Sequence, residues 1–230
     1  MRPRPIVAID GPAGAGKSTV ARRLADRLGF TLVDTGALYR AVALAARRAG
    51  VAWDDEANVV DVARRVEASR LLELVPDAEK GVRVMLEGQD VSDAIRTADM
   101  GMGASRVSAM GGVRAALLDL QRQAGEMGGV VLEGRDIGTV VFPDAEVKFF
   151  LTASPEVRAK RRYEELVERG QNVHYAATLA DVKARDENDM NRPIAPLRRA
   201  DDAVLVDSSD RAVDDIVEEM ARRVSSTTRA

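Results

Sequence analysis

The fold of this chain is decided near its amino terminus, by the stretch VAIDGPAGAGKSTVARRLADRLG at residues 7–29. Its centre, GPAGAGKS, has the spacing G-x-x-x-x-G-K-[ST] of a loop that surrounds phosphate groups with backbone N–H donors. The flanks fit this interpretation. The apolar run at 6–9 predicts a buried strand, and Val20, Leu24 and Leu28 predict one face of an amphipathic helix that ends at a glycine. We therefore expect a strand, a phosphate-binding loop and a helix.

The alternation of strands and helices continues after this first unit. A second strand is predicted over residues 30–36 and a second helix over 37–50. Alternating strands and helices are typical of an α/β fold with a parallel sheet. The later predictions are strands over 129–136, 147–154 and 203–209, helices over 113–123, 155–170, 178–191 and 213–224, and a frayed tail over 225–230.

The middle of the chain departs from this alternation. Residues 70–75 and 82–88 are largely apolar and are separated by the turn-forming segment PDAEKG, which predicts an antiparallel hairpin. Val82, Val84 and Leu86 would share one face of it. A hairpin within a parallel pattern indicates an inserted subdomain. We place it at about residues 60–104.

Composition narrows the class of protein. The chain is 46% hydrophobic and 31% charged, with a formal net charge of −3 and no cysteine. We therefore expect a cytoplasmic globular protein without disulfides, membrane spans or nucleic-acid binding. Only five of the 34 basic residues are lysines. The nucleotide composition of the genome would explain this excess of arginine, but arginine also binds phosphate bidentately. The single histidine, His174, argues against a histidine triad or a zinc site.

The phosphate loop predicts a phosphate-bearing ligand but does not indicate which molecule would accept a phosphoryl group. A GTPase would add a guanine-reading N-K-x-D motif, which the sequence lacks. A motor or helicase would usually be longer. Small size and an inserted subdomain favour a small-molecule kinase. Two alternatives remain open. One is a kinase whose acceptor is a nucleotide or a small hydroxylated metabolite, and the other is a nucleotide-dependent switch.

Two side chains of the loop would carry its chemistry. Lys17 would reach the β- and γ-phosphates, and the Ser18 hydroxyl would bind magnesium. Asp10 is predicted to be structural, whereas Asp34 and Glu133 are candidates to orient magnesium-bound waters. The full set of residues expected around the nucleotide phosphates is Gly11, Pro12, Ala13, Gly14, Ala15, Gly16, Lys17, Ser18 and Thr19.

Several longer motifs make the chain resemble a known family. They are DTGALYR at 34–40, EGQDVSDAIRT at 87–97, GRDIGTVVFPDA at 134–145, ARDENDMNR at 184–192 and APL at 195–197. Together with GPAGAGKST they occur in the order and approximate spacing of the bacterial cytidylate kinases, a branch of the nucleoside monophosphate kinases. The resemblance covers nearly the whole chain.

This resemblance implies an architecture and an activity. The implied architecture is a single three-layer P-loop kinase domain over 1–230, with the insertion at about 60–104 as a nucleoside-monophosphate-binding subdomain. A small helical lid would lie at about 155–170. The implied reaction transfers the γ-phosphoryl group of ATP, with magnesium, to CMP or dCMP. A monomer is the expected state.

The resemblance also makes the lid arginines candidates for catalysis. Arg158, Arg161 and Arg162 have i, i+3, i+4 spacing, so they would share one face of a helix. Over the phosphates they would neutralise the charge that develops during transfer. The alternative is a solvated basic face paired with neighbouring glutamates.

The resemblance places the remaining site residues around the acceptor. Asp136 and Ser105 would meet the amine side of cytosine and Arg114 its acceptor side, while Ser105 could instead be a helix-surface hydroxyl. Read without the family, Arg185 and Asp189 are an ordinary i, i+4 surface pair. The implied phosphate ligands are Arg40, Arg135 and Arg192, and the implied ribose ligands are Arg185, Asp189 and Thr35.

Overall fold

A computed structural model describes residues 2–77 and 81–227 of the chain. The strands are β1 (Ile6–Asp10), β2 (Thr31–Asp34), β3 (Leu72–Asp77), β4 (Gly81–Leu86), β5 (Gln89–Asp90), β6 (Val130–Gly134), β7 (Val147–Thr152) and β8 (Val204–Asp207). The helices are α1 (Lys17–Leu28), α2 (Thr35–Arg48), α3 (Glu56–Ala68), α4 (Ala98–Val107), α5 (Gly111–Gly125), α6 (Pro155–Glu168), α7 (Tyr175–Asn191) and α8 (Val213–Thr227). A 3₁₀ turn spans Ala94–Arg96 and a π-helical turn spans Ile137–Val141.

The central sheet has five parallel strands in the order β2-β6-β1-β7-β8. Side chains of β1 alternate between two apolar clusters. Val7 and Ile9 pack with α1 and α8 on one face, whereas Ile6 and Ala8 pack with the π-helical turn on the other. Because both faces are covered, β1 is buried throughout, as expected for a parallel strand. The α/β class and the parallel sheet are confirmed.

The second sheet confirms the predicted hairpin. Strands β3 and β4 pair antiparallel, and the short β5 extends them into three strands. Leu72, Val84 and Leu86 are buried in an apolar cluster with helices α2 to α5. The middle of the predicted turn, residues 78–80, lies outside the described residues.

Several predicted boundaries were wrong, among them the end of the second strand, the start of α7 and the end of α8. The second strand stops at Asp34, because this side chain accepts the Ala37 N–H at 3.2 Å and caps α2, which begins at Thr35. Helix α7 begins at Tyr175, ahead of the predicted start at residue 178. Helix α8 continues to Thr227, so residues 225–227 are helical and do not form a frayed tail; residues 228–230 lie outside the described range.

No helix within 2–77 or 81–227 is long and apolar enough to cross a bilayer.

Candidate active site

The phosphate loop joins β1 to α1 at the carboxyl end of the central strand. Gly11, Gly14 and Gly16 have φ values of 153°, 77° and 86°, in a region that favours glycine. At Gly11 a Cβ atom would lie 1.9 Å from the Leu151 carbonyl oxygen of the neighbouring strand β7. The backbone here is therefore shaped by glycine, with the N-terminus of α1 directed at the space the loop surrounds.

Lys17 lies in the first turn of α1 and folds back over the loop. Its ammonium donates to the Pro12 carbonyl oxygen at 2.8 Å, and the residue is 7% exposed. Burial lowers the pKa of Lys17, and the positive charge of Arg135 lowers it further. A bound polyphosphate would supply negative charge next to this ammonium.

Carboxylates of two neighbouring strands meet next to this lysine. Asp34 of β2 and Glu133 of β6 are partners in the strand register. Burial raises the pKa of Glu133, and repulsion from Asp34 raises it further. The Ser18 hydroxyl donates to Glu133 Oε2 at 2.9 Å, so one hydroxyl and two carboxyl groups converge where the sheet ends. Oxygen donors of this kind suit a magnesium ion that keeps several of its waters.

A second charged cluster lies after β6. The Asp136 carboxylate is 4% exposed and forms a buried ion pair with Arg114 of α5, while Arg192 Nη2 lies 3.7 Å from its other oxygen. The Arg114 guanidinium also lies 5.3 Å from the ring centroid of Tyr39. Ser105 lies half-buried on α4, and its carbonyl accepts from Ser108, whose own carbonyl accepts from Arg114. The structure thus brings Asp136 and Arg114 into direct contact, whereas Ser105 is linked to them only through its backbone carbonyl and Ser108.

The predicted phosphate and ribose ligands contact both clusters, through Arg40 and Thr35 at the first and Arg192 at the second. Arg40 pairs with Asp34 at 2.5 Å, and Arg135 pairs with Asp189 at 2.9 Å. Asp189 is buried, so its interpretation as a surface partner of Arg185 is wrong. Burial and the charge of Arg135 lower the pKa of Arg185, and the Thr35 hydroxyl donates to the Glu133 carbonyl oxygen at 2.8 Å.

The three arginines of α6 diverge in their contacts. Arg158 is 3% exposed and binds both Asp186 oxygens, at 2.8 and 2.5 Å, and the carbonyl oxygens of Ala13 and Ala153. Arg161 donates to Ser208, whose hydroxyl donates to the Ala15 carbonyl oxygen at 3.0 Å. Arg162 pairs with Glu165 at 3.0 Å in a half-exposed contact, as the solvated-face alternative expects for this residue.

Sequence reasoning missed Asp186, Ser208 and Tyr39. Asp186 joins α7 to α6 through Arg158, and Ser208 joins the end of β8 to the phosphate loop. Asp186 lies within the ARDENDMNR motif, and Tyr39 within DTGALYR. The motifs were therefore the available signal, although no spacing in the sequence links either residue to its partner.

Replacing Arg158 by lysine should destabilise the protein. Lysine keeps the charge but cannot reproduce a bidentate contact to Asp186 together with two carbonyl contacts. We expect the free energy of unfolding to fall by about 2 kcal/mol or more, measured by urea denaturation with circular dichroism. The matched control is Arg162→Lys on the same helix, which should change it by about 0.5 kcal/mol or less. Equal losses in the two variants would contradict a structural role for the Arg158 contacts.

The amino-acid sequence that builds this site is similar, over nearly its whole length, to those of known proteins. The family model described as cytidylate kinase matches residues 7–226. Two relatives named cytidylate kinase, from Geobacter sp. strain M21 and Syntrophotalea carbinolica, are each 52% identical. The first alignment covers 95% of this chain and 92% of the relative, the second 96% and 92%. A relative of the same name from Pseudomonas aeruginosa is 48% identical, over 95% of this chain and 94% of its own length.

Similarity to solved structures concerns the fold alone. An uncharacterized protein from Eubacterium ventriosum superimposes with a TM-score of 0.52 at 13% identity, over 97% of this chain and 99% of that one. The sequence similarity is far more specific, because a match of about half of all positions extends over nearly the whole length of both proteins. The chain therefore belongs to the cytidylate kinase family.

Proposed function

We propose that this protein transfers the γ-phosphoryl group of ATP to CMP or dCMP, yielding ADP and CDP or dCDP. The observation that carries the proposal is the position of the Asp136 cluster. A buried carboxylate held by two arginines follows β6, directly beside the phosphate loop that follows β1. Acceptor and donor sites therefore lie at the carboxyl ends of adjacent strands, where open α/β sheets bind ligands.

Recognition of cytosine follows from its hydrogen-bonding groups. The exocyclic amine donates hydrogen bonds, so the Asp136 carboxylate would accept one from it, with Ser105 on the same side of the base. The ring nitrogen and carbonyl accept, so Arg114 would donate to them. Uracil would instead direct a carbonyl oxygen at the carboxylate. A site built to bind a donor group rejects such an analogue strongly, because the buried polar group is left unpaired.

The remaining charged residues suit the rest of the acceptor. Arg40, Arg135 and Arg192 would hold the phosphate of CMP. Each of these arginines already lies against a carboxylate, Asp34, Asp189 and Asp136 respectively. A bound phosphate would compete for the guanidinium groups or share them. The ribose would contact Thr35, Arg185 and Asp189.

The acceptor needs no general base. A phosphate oxygen of CMP is already anionic, so catalysis rests on holding it in line with ATP and on neutralising charge. Lys17 and the backbone of residues 11–19 would hold the ATP phosphates. The α6 arginines, Arg158, Arg161 and Arg162, would contribute by exchanging their contacts with Asp186, Ser208 and Glu165 for contacts with phosphate oxygens. The oxygen groups of Ser18, Asp34 and Glu133 fit magnesium, directly or through its waters. When bound, this ion would supply positive charge to the phosphate oxygens.

We also propose that the protein is a monomer and that its single domain contains an acceptor-binding insertion and a lid. Residues 60–104, which contain the antiparallel sheet and most of α3 and α4, would form the acceptor-binding insertion. Residues 155–170, containing α6, would form the lid. Closure of a lid excludes water, whose attack would hydrolyse ATP.

A coupled assay of ADP release tests the proposed function. We expect ATP turnover that depends on CMP or dCMP, with far lower kcat/KM for UMP and AMP, and loss of turnover when a chelator removes magnesium. Comparable or better turnover with UMP or AMP would exclude the assignment. Slow ATP hydrolysis that is independent of every acceptor would instead support a nucleotide-dependent switch.

A further inference from the structure

A buried aspartate outside the proposed ligand set contacts the π-helical turn that follows Asp136. Asp10 ends β1, immediately before the phosphate loop, and is 4% exposed. Its Oδ1 accepts the Ile137 N–H and its Oδ2 accepts the Gly138 N–H, both at 2.8 Å. These donors lie 127 and 128 residues along the chain from Asp10. They are the first two N–H groups of the turn that begins directly after Asp136.

The position of Asp136 makes this contact unusual. Asp136 is the residue that precedes the π-helical turn, where an aspartate ordinarily accepts N–H groups of the turn it starts. Here its side chain makes no such bond and reaches Arg114 instead. The capping role is performed by Asp10. The Asp136 carboxylate is thereby left available for a partner outside its own turn.

Local packing shows that the backbone is held close to Asp10. A Cβ atom on Gly138 would lie 3.0 Å from Lys148 Cδ and 3.5 Å from Asp10 Oδ2. The turn is thus enclosed between the Lys148 stem on β7 and the Asp10 carboxylate on β1. The Lys148 ammonium is engaged elsewhere, by the Pro143 carbonyl oxygen and by Asp202. Asp10 is therefore the group that binds the first N–H donors of this turn.

We propose that Asp10 is a positioning residue for base recognition, which caps the turn after β6 so that the Asp136 carboxylate points at the acceptor base. Without this cap, the adjacent acceptor for the freed N–H groups is Asp136 itself. Its carboxylate would then turn toward its own backbone and away from cytosine. The inference rests on the proposed function and adds to it a determinant of specificity that does not contact the substrate.

The test measures KM for CMP and for ATP separately in Asp10→Asn. An asparagine of the same shape can accept only one of the two N–H groups and directs its amide hydrogens at the other. We expect KM for CMP to rise at least about tenfold, with KM for ATP within about threefold of the wild type. Asp214→Asn, which alters an exposed ion pair with Arg23 on the surface of α8, should leave both values unchanged. Equal increases in both KM values for Asp10→Asn would overturn the proposal.

A double variant asks whether Asp10 acts through Asp136. Equilibrium binding of CMP would be compared for the wild type, Asp10→Asn, Asp136→Asn and the double variant. If Asp10 serves to orient Asp136, adding Asp10→Asn to Asp136→Asn should weaken binding by less than about threefold. Full additivity of the two losses would overturn the proposal.

A second variant keeps the test informative if Asp10→Asn does not fold. Gly138→Ala crowds the same turn from the side of the Lys148 stem, whose Cδ would lie 3.0 Å from the new Cβ atom. It leaves β1 unaltered and should also raise KM for CMP selectively. An unchanged KM for CMP in a folded Gly138→Ala protein would count against the inference. The wild-type assay remains separate: failure of the wild type to phosphorylate CMP refutes the proposed function, whereas an active wild type with unaffected variants refutes only the role of Asp10.

Discussion

Replacing Lys17 by methionine should reduce kcat by about a hundred- to a thousandfold and leave the protein folded. The loss follows from removing a preorganised positive charge from a water-poor site, where one such donor carries several powers of ten in rate. Folding should persist because burial already disfavours the charged lysine, and methionine keeps the length and apolar character of its stem. We expect the free energy of unfolding to change by about 1 kcal/mol or less.

Single-turnover kinetics and thermal melting would measure the two effects separately. Lys183→Met is the matched control, because Lys183 is exposed and pairs with Glu156 away from the phosphate loop. It should retain the turnover of the wild type. A Lys17→Met protein that is folded and retains wild-type kcat would contradict the role given to this ammonium.

Replacing Asp136 by asparagine should narrow or invert the preference for CMP over UMP. The buried contact with Arg114 would hold the oxygen of the new amide toward the guanidinium, which directs the amide N–H groups at the base. These donors would oppose the cytosine amine and suit the uracil carbonyl. We expect kcat/KM for CMP to fall by about a hundredfold or more, while KM for ATP stays near the wild-type value.

Asparagine is a better test here than alanine. Alanine would leave Arg114 and Arg192 buried without their anion, and breaking a buried ion pair in this way costs about 3–5 kcal/mol of stability. The measurement is a set of steady-state assays with CMP and UMP at saturating ATP, and with ATP varied. An equal loss of affinity for CMP and ATP would show that Asp136 does not read the base.

The local units of the fold could be predicted because their signals are contained in short segments. The glycine spacing of the loop, the apolar run before it and the helical periodicity after it all lie within residues 6–29. The hairpin likewise carried its own signal, in two apolar runs around a turn. The start of α2 was misplaced although Asp34 is a recognisable cap, because the strand pattern was extended through DTG.

The candidate site depended on contacts between distant segments. Asp34 meets Glu133 because β2 and β6 are neighbours in the sheet, and Arg158 meets Asp186 because α6 and α7 pack together. The i, i+3, i+4 spacing of the α6 arginines predicted a shared helix face but not the partners of Arg158 and Arg161, since these come from the phosphate loop, α7 and the end of β8. Helical spacing states which residues share a face and leaves open what that face contacts.

By itself, the sequence determined the phosphate loop, the α/β class and, through its motifs, the family. These features depend on backbone geometry and periodicity, which are properties of contiguous residues. Only the tertiary structure decided that Asp10 caps the turn after Asp136 and that Asp136 faces Arg114. A carboxylate can accept from any N–H group that the fold brings within reach. Its partner is therefore set by strand order and packing, which no short stretch of the chain encodes.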